Sequence, residues 1–397
     1  MGIKIPLDAT QIMVKPVGSL CNLDCDYCYY KGAGVHVFDG QMSMMSLETF
    51  EKACKQYMDL SPNVPAIHWQ GGEPTLRGVD FFRDAVDIEG RVLGKQFRIY
   101  ERGIENHFQT NGTMLNDEWC GFFREKGFLV GLSVDGNSDM NRARVFREGR
   151  EVYEGSIRSV GLLRKHGVDF NILSVVSKYN VSDSAGFFKF LLDNRIQYSQ
   201  IISAKPKIGR SGFDEHSLGV EEYADFMKSL FDTWVEDDNP EIHINTIDDL
   251  LRVALGRTPM ICESRPYCAG QVTIEWNGDV YPCDHNVTED LRLGNVHDGC
   301  LADILRSDKY VSFLDRTAAL DEECFNCSWM RICFGGCPRQ RKDGEEKTYL
   351  CSGNKKIFEY VFTKMNEVFR GEGRFRDSRM RGFFVELKRD AERNPVE

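Results

Sequence analysis

Short apolar runs alternate with longer amphipathic segments over the first two-thirds of the chain. Apolar runs bounded by turn residues are typical of strands, and apolar residues at helical spacing are typical of helices. The alternation favours an α/β fold with a parallel sheet. Six units predict a partial, TIM-like (β/α)6 barrel whose site lies at the carboxyl ends of the strands. Strands are predicted at 12–15, 66–70, 106–110, 129–134, 169–176 and 199–204, and helices near 46–60, 79–92, 116–126, 152–166 and 183–194.

The last third of the chain follows a different pattern. Residues 218–256 are helical in periodicity, and a further helix is predicted near 355–369. Between them, a hairpin is predicted with Asn277 and Gly278 as a two-residue turn. We expect the charged tail to be a solvated helix or a frayed end. The predicted organisation is a barrel at 1–217, a helical bridge at 218–261, a cysteine-rich domain at 262–370 and a tail at 371–397.

Charge and composition limit the function classes. The 397 residues carry a net charge of −11, which argues against a general nucleic-acid binder. We find no apolar run of 18 residues and therefore expect no membrane span. The N-terminus lacks the apolar core of a signal peptide, so a cytoplasmic location is expected. In that compartment the 14 Cys are not expected to form disulfides.

Three cysteines follow the first predicted strand at a C-x3-C-x2-C spacing: Cys21, Cys25 and Cys28. Three thiolates can hold three irons of a 4Fe–4S cluster and leave the fourth iron open to a small molecule. An electron-transfer ferredoxin would instead close the cluster with a fourth Cys. The alternatives are a zinc knuckle or reduced structural thiols, although a structural zinc site normally has four ligands.

Eight further cysteines lie between 262 and 351, which is the number that two complete four-ligand sites require. Their spacing alone leaves iron–sulfur clusters and zinc both open. Cys54, Cys120 and Cys300 remain, and we interpret them as core or surface thiols. The eight are Cys262, Cys268, Cys283, Cys324, Cys327, Cys333, Cys337 and Cys351.

Polar motifs follow several predicted strands. In Gln70-Gly71-Gly72-Glu73-Pro74 the glycines allow close backbone approach, and Glu73 could face a cationic amino group. Ser133 and Arg144 could bind a carboxylate, or Arg144 could form a surface salt bridge. Asp284 directly follows Cys283, where it could take a proton beside a metal centre or simply cap a turn.

The cysteine triad followed by GGEP resembles the radical S-adenosylmethionine (SAM) enzymes, and the later cysteines resemble the SPASM domain of peptide-modifying members. CNLDCDYCYY, QGGEPTL, QTNGT, GLSVDG, VYPCDH, RLGNV and TYLC occur in that order. Over residues 12–365 the chain is therefore similar to the anaerobic sulfatase-maturating enzymes. The resemblance implies a radical SAM barrel with a C-terminal SPASM domain, three 4Fe–4S clusters and SAM.

The same resemblance implies roles for individual residues. Cys21, Cys25 and Cys28 would hold the first cluster. Two interleaved sets would hold the auxiliary clusters: set A is Cys262, Cys268, Cys283 and Cys337, and set B is Cys324, Cys327, Cys333 and Cys351. SAM would contact Tyr27, Gly71, Gly72, Glu73, Ser133, Arg144 and Lys205. The substrate would contact Tyr30 and Gln70, and Asp284 would be the catalytic base.

Enzymes of this family convert a Cys or Ser of a sulfatase into Cα-formylglycine. The implied chemistry is reduction of SAM to a 5′-deoxyadenosyl radical, removal of a Cβ hydrogen, proton transfer to Asp284 and electron transfer to an auxiliary cluster. The implied partners are a sulfatase-like peptide segment and a flavodoxin or ferredoxin. Departures from the family pattern are Lys205, where an apolar residue is usual, residues 106–109 and the long tail.

These departures keep another SPASM-type maturase open, one that acts on a different ribosomal peptide by thioether formation, epimerisation or other C–H functionalisation. A redox or scaffold protein without SAM chemistry, and a zinc-stapled binding module, are the alternatives outside the superfamily. The open three-Cys site and GGEP argue against both.

Overall fold

The computed structural model describes residues 7–31, 44–94, 103–206, 217–342 and 344–393. The strands are β1 (Gln11–Lys15), β2 (Ala66–Trp69), β3 (Glu105–Thr110), β4 (Leu129–Ser133), β5 (Phe170–Val176), β6 (Tyr198–Ser203), β7 (His243–Ile244), β8 (Gln271–Glu275), β9 (Asp279–Tyr281) and β10 (Gly294–Asn295). The helices are α1 (Leu47–Asp59), α2 (Val79–Leu93), α3 (Asp117–Lys126), α4 (Tyr153–His166), α5 (Ser184–Asp193), α6 (Val220–Glu236), α7 (Asn245–Ala254), α8 (Leu301–Ile304), α9 (Asp308–Ala318), α10 (Glu322–Phe325), α11 (Met330–Cys333), α12 (Cys351–Arg370) and α13 (Arg379–Arg393).

The six predicted strands and the five helices predicted between them are confirmed within one or two residues. Strands β1 to β6 pair in chain order and in parallel, and β7 adds one short parallel strand beyond β6. Local signals set the helix ends. The side chains of Ser46, Asn116 and Asp183 accept hydrogen bonds from the first turns of α1, α3 and α5, and Gly127 and Gly167 end α3 and α4 in the left-handed region.

The sheet does not stop at β1. Strand β8 of the cysteine-rich segment pairs in parallel with β1 over five residues, from Gln11 with Gln271 to Lys15 with Glu275. The sheet therefore has ten strands, in the order β10-β9-β8-β1-β2-β3-β4-β5-β6-β7. This pairing covers the free edge of β1 and brings the cysteine-rich segment against the first cysteine loop.

The predicted two-residue turn at Asn277 and Gly278 is wrong. Val280 pairs with Ile274, which leaves residues 276–278 as a three-residue loop between β8 and β9. Gly278 has φ +86°, and its N–H donates to the carbonyl of Glu275 at 2.8 Å. Only the third loop residue needs the left-handed region, which is the pattern of a three-residue hairpin loop.

Asn106, one of the departures from the family pattern, belongs to a buried polar chain behind the sheet. Trp69 Nε1 donates to Asn106 Oδ1 at 2.6 Å, and Asn106 Nδ2 donates to Glu89 Oε2 at 2.8 Å. Burial raises the pKa of Glu89 to about 8. The amide at position 106 therefore satisfies two polar groups that α2 and β2 bury.

The expectation of a solvated or frayed tail holds only in part: residues 379–393 form a helix with a largely solvated surface, but one side of it packs against the protein. Helix α13 buries Met380 and Phe384. The Phe384 ring lies 6.0 Å from Trp234 of α6 and 5.6 Å from Phe369 of α12, measured between centroids. The charged residues that suggested solvation occupy its other face. Among the described residues, no helix is both long and apolar enough to cross a membrane.

Candidate active site

The first cysteine loop leaves the carboxyl end of β1. The N–H groups of Asp24 and Asp26 donate to the carbonyls of Val145 and Ala143, at 2.8 and 3.0 Å. These hydrogen bonds connect the first cysteine loop to the segment after β4. The loop thus lies over the carboxyl ends of the strands, where the sequence predicted the site.

The three thiols of this loop lie within electrostatic range of one another. Burial raises the pKa of Cys21 to about 11 and that of Cys25 to about 12, and it also raises the pKa of Cys28. Three adjacent thiols with raised pKa values lose their protons when a bound cation compensates the charge. Leu23 N–H also points at Cys21 Sγ, at 3.3 Å. The donor set therefore fits an iron–sulfur cluster.

Gly71 and Gly72 touch the start of the same loop through bare backbone. Gly72 N–H donates to Gly18 O, and Glu73 N–H donates to Leu20 O, both at 2.8 Å. A Cβ at Gly72 would lie 2.0 Å from Leu20 O, and Gly71 has φ +141°. Both glycines are needed because no side chain fits between the two loops.

Glu73 is completely buried and already satisfied by the protein. Its Oε1 accepts from the side chains of Thr75 and Thr110 at 2.6 and 2.7 Å and from Thr75 N–H at 3.1 Å. Its Oε2 accepts from Asn111 N–H at 2.7 Å. The carboxylate therefore joins the GGEP loop to the end of β3, and its direct contact with SAM stays a prediction.

Arg144 is held in a buried ion pair, so the alternative of a surface salt bridge is wrong. Its Nε and Nη2 each donate to a different oxygen of Asp135 at 2.9 Å, with the side chains 8% and 1% exposed. The Tyr27 hydroxyl also donates to Asp135, and Val175 N–H donates to it at 2.9 Å. Sequence reasoning missed Asp135, although its place in GLSVDG at a strand end was an available signal. Nearby, Ser133 Oγ accepts from Gln109 Nε2 at 2.8 Å.

Asp284 lies where the cysteine-rich segment meets the first cysteine loop. The Tyr29 hydroxyl donates to Asp284 Oδ2 at 3.1 Å, and His285 Nδ1 lies 3.1 Å from Oδ1. The ring centroids of His285 and Tyr29 are 4.3 Å apart. Asp284 Oδ1 is also 3.4 Å from Cys283 Sγ. Burial opposes ionisation, but His285 and Lys15 outweigh it and hold the pKa of Asp284 well below its usual range.

Lys15 and Glu275 form a buried ion pair beneath Asp284 that sequence reasoning missed. They are register partners on β1 and β8, and Lys15 Nζ lies 3.8 Å from Glu275 Oε1. Lys15 Nζ also donates to the backbone carbonyl of Asp284 at 3.3 Å and lies 4.6 Å from the Tyr30 ring centroid. A charged residue at the carboxyl end of each of these two strands was the available signal.

Both predicted auxiliary sets come together in space. In set A the thiols interact with one another, and burial raises the pKa of Cys268 to about 12. The four cysteines of set B line one cavity, and burial raises the pKa of Cys333 to about 11. Each donor set is complete with four thiols, so both fit fully ligated clusters. Cys54 and Cys120 lie in the core and Cys300 is exposed.

Lys205 is oriented by the cysteine-rich segment. Its Nζ donates to Glu263 Oε2 at 2.5 Å and to Ser203 Oγ at 3.0 Å. Burial opposes the charge, but Glu263 and Cys337 outweigh it and raise the pKa of Lys205. Its contact with SAM stays a prediction.

Comparison with known proteins agrees with this geometry. Residues 16–191 match the Radical SAM superfamily, and residues 262–328 match the SPASM iron-sulfur cluster-binding domain. The serine-type anaerobic sulfatase-maturating enzyme of Bacteroides thetaiotaomicron is 33% identical over 381 residues, covering 89% of this chain and 90% of that protein. The cysteine-type enzyme of Clostridium perfringens is 32% identical over 365 residues, covering 90% and 97%.

A solved structure, native anSMEcpe with bound AdoMet and Cp18Cys peptide, superposes with a TM-score of 0.82 at 32% identity, covering 92% of this chain and 99% of that chain. These matches confirm the predicted barrel with its SPASM domain, and the predicted enzyme class with SAM and 4Fe–4S clusters as cofactors. The chain belongs to the anaerobic sulfatase-maturating enzyme family of radical SAM proteins.

Proposed function

We propose that this protein oxidises a Cys or Ser side chain of a sulfatase-type peptide to Cα-formylglycine. The observation that carries the proposal is the buried Asp284 carboxylate, set between a set A cysteine and Tyr29 of the first cysteine loop. Both relatives named above are maturases, one of each substrate type, at nearly equal identity. Their similarity supports the reaction and leaves the choice between Cys and Ser to experiment.

The reaction needs a base. Converting a Cys side chain to a thioaldehyde removes one hydrogen atom from Cβ, one proton from sulfur and one electron; water then releases sulfide and leaves the aldehyde. Bound SAM and clusters supply the acceptors of the hydrogen atom and the electron. Asp284 takes the proton, because its carboxylate lies beside a set A cysteine and Tyr29 and is ionised before the reaction.

The groups around Asp284 orient it for this role. Tyr29 holds Oδ2 and His285 lies against Oδ1, so both oxygens keep fixed directions. The bond from Lys15 Nζ to the carbonyl of Asp284 fixes the backbone, and its cation stabilises the ionised carboxylate. Tyr30 and Gln70 would contact the peptide. Gln70 Oε1 is buried without a hydrogen-bond partner among the described residues, which suits an N–H of the substrate.

The SAM site would be formed at the carboxyl ends of β1 to β6. Cys21, Cys25 and Cys28 would hold the cluster that binds SAM. The bonds to Asp135 use Nε and Nη2 of Arg144 and leave Nη1 for the carboxylate of SAM. The remaining proposed contacts are Tyr27, Gly71, Gly72, Glu73, Ser133 and Lys205, and sets A and B would hold the auxiliary clusters.

The electron donor and location are also proposals. A low-potential flavodoxin or ferredoxin would reduce the first cluster. Fourteen cysteines, none in a disulfide among the described residues, support a reducing cytoplasmic location.

The test is an anaerobic assay of the reconstituted protein with SAM, dithionite and Cys- or Ser-containing sulfatase peptides, read by mass spectrometry. We expect the mass change of formylglycine formation. Asp284→Asn should still cleave SAM but yield no oxidised peptide. Asp290→Asn, the same change at an exposed site in the same segment, is the matched control and should resemble the wild type.

Two results would redirect or end the proposal. 5′-Deoxyadenosine without any change in either peptide would contradict sulfatase maturation and direct the search to another ribosomal peptide. No SAM cleavage by a protein with its full iron content would overturn the enzyme assignment.

A further inference from the structure

Lys205 and Glu263 form an ion pair where the barrel meets set A. Lys205 follows the end of β6, and Glu263 directly follows Cys262 of set A. Their side chains are 9% and 30% exposed, and 2.5 Å separates Lys205 Nζ from Glu263 Oε2. The two charges therefore interact in a partly dehydrated environment, where electrostatic effects on neighbouring groups are stronger than in water.

The Lys205 ammonium is held in position by two hydrogen bonds. Besides Glu263, it donates to Ser203 Oγ at 3.0 Å. The same Ser203 oxygen lies 3.0 Å from Nε2 of Gln340, three residues after Cys337. These contacts connect the end of β6 to both ends of set A.

The two charges lie beside different cysteines of set A. Glu263 directly follows Cys262 in the chain, and Lys205 shares the Ser203 hydroxyl with Gln340, three residues after Cys337. A positive charge beside a cluster favours its reduced form, and a negative charge favours its oxidised form. The ion pair therefore places two opposing influences next to set A.

We propose that Lys205 and Glu263 set the reduction potential of the auxiliary cluster held by set A, with Lys205 raising the potential and Glu263 lowering it. This inference rests on the proposed function, because it takes set A to be a cluster site. One electron leaving the substrate, after its proton has gone to Asp284, adds one negative charge at set A. The Lys205 ammonium stabilises that charge, and Glu263 limits the effect.

The test is a redox titration of the reconstituted holoprotein followed by electron paramagnetic resonance, without peptide. Lys205→Met should shift one auxiliary cluster to lower potential, and Glu263→Gln should shift the same cluster to higher potential. Lys205→Arg should stay near the wild type, and the double variant should fall between the two single variants. Lys356→Met is the matched control, because it breaks an exposed pair with Glu221, and it should cause no shift.

The opposite signs of the two potential shifts distinguish electrostatic tuning from a purely structural role of the ion pair. Unchanged potentials in both single variants, or shifts of the same sign, would overturn the proposal. Weaker SAM binding by Lys205→Met with unchanged potentials would make Lys205 a SAM ligand instead. If Lys205→Met does not retain its iron, the test rests on the other two variants. The proposal then requires a higher potential in Glu263→Gln and a potential near the wild type in Lys205→Arg. The titration contains no peptide, so the measured potentials do not depend on whether the protein matures a sulfatase. A negative maturation assay and a negative titration are therefore distinguishable.

Discussion

Gly72 and Leu20 meet without a side chain between them: a Cβ at Gly72 would lie 2.0 Å from Leu20 O and 2.3 Å from its carbonyl carbon. This contact joins the GGEP loop after β2 to the loop that carries the first cysteine triad. The position of the proposed SAM-binding loop relative to the proposed cluster therefore depends on one missing methyl group.

Gly72→Ala should displace the first cysteine loop, because backbone atoms cannot yield as a flexible side chain can. We expect lost iron at the first cluster and loss of SAM cleavage, measured by iron analysis and 5′-deoxyadenosine formation. Gly90→Ala is the control, because a Cβ there meets nothing within 4 Å and Ala favours the helix. Normal SAM cleavage by Gly72→Ala would show that the two loops can separate.

Arg144→Met should destabilise the protein strongly, because it leaves Asp135 buried without its cation. Removing one partner of a buried pair costs about 3–5 kcal/mol. The measurement is the urea midpoint under anaerobic conditions. Lys189→Ala removes an exposed pair with Asp193 and should change stability by less than about 1 kcal/mol. Equal midpoints for the two variants would contradict the buried pair.

Glu89→Gln should stabilise the protein at pH 8 and have little effect near pH 5. The folded carboxyl keeps its proton up to a pKa of about 8, whereas the unfolded one loses it near the ordinary Glu pKa of 4.5. The unfolded state therefore binds fewer protons across this window, and wild-type stability falls as pH rises. The gain at pH 8 should be on the order of 2–4 kcal/mol.

This pH effect is measured by urea unfolding of both proteins at pH 5 and pH 8. Glu359→Gln, an exposed change on α12, is the control and should show no such dependence. An effect of Glu89→Gln that is the same at both pH values would mean that Glu89 is ionised in the folded protein.

Phe384→Ala should cost about 3–5 kcal/mol, as expected for a buried Phe. The residue is fully buried between α6 and α12, so its loss leaves a cavity beside Trp234. Arg389→Ala on the exposed face of α13 should be nearly neutral. A Phe384→Ala variant as stable as the Arg389 variant would show that α13 contributes nothing to folding.

The sequence by itself determined the local structure and the chemistry of the site. Hydrophobic periodicity is a local property, so the six strands of the barrel and the five helices between them were predictable within one or two residues. Cysteine number and spacing can also be taken directly from the sequence. The four cysteines of set A lie close together, and so do the four of set B. The motif at 70–74 likewise lies against the first cysteine loop.

The tertiary structure decided which distant residues meet. Nothing in the local pattern of β8 shows that it pairs with β1, yet that pairing places Asp284 beside Tyr29. The partners of Arg144 and Lys205 are Asp135 and Glu263, which one sequence alone could not assign. A charged side chain shows that a partner is needed, but strand register and packing across the sheet determine which partner lies within reach.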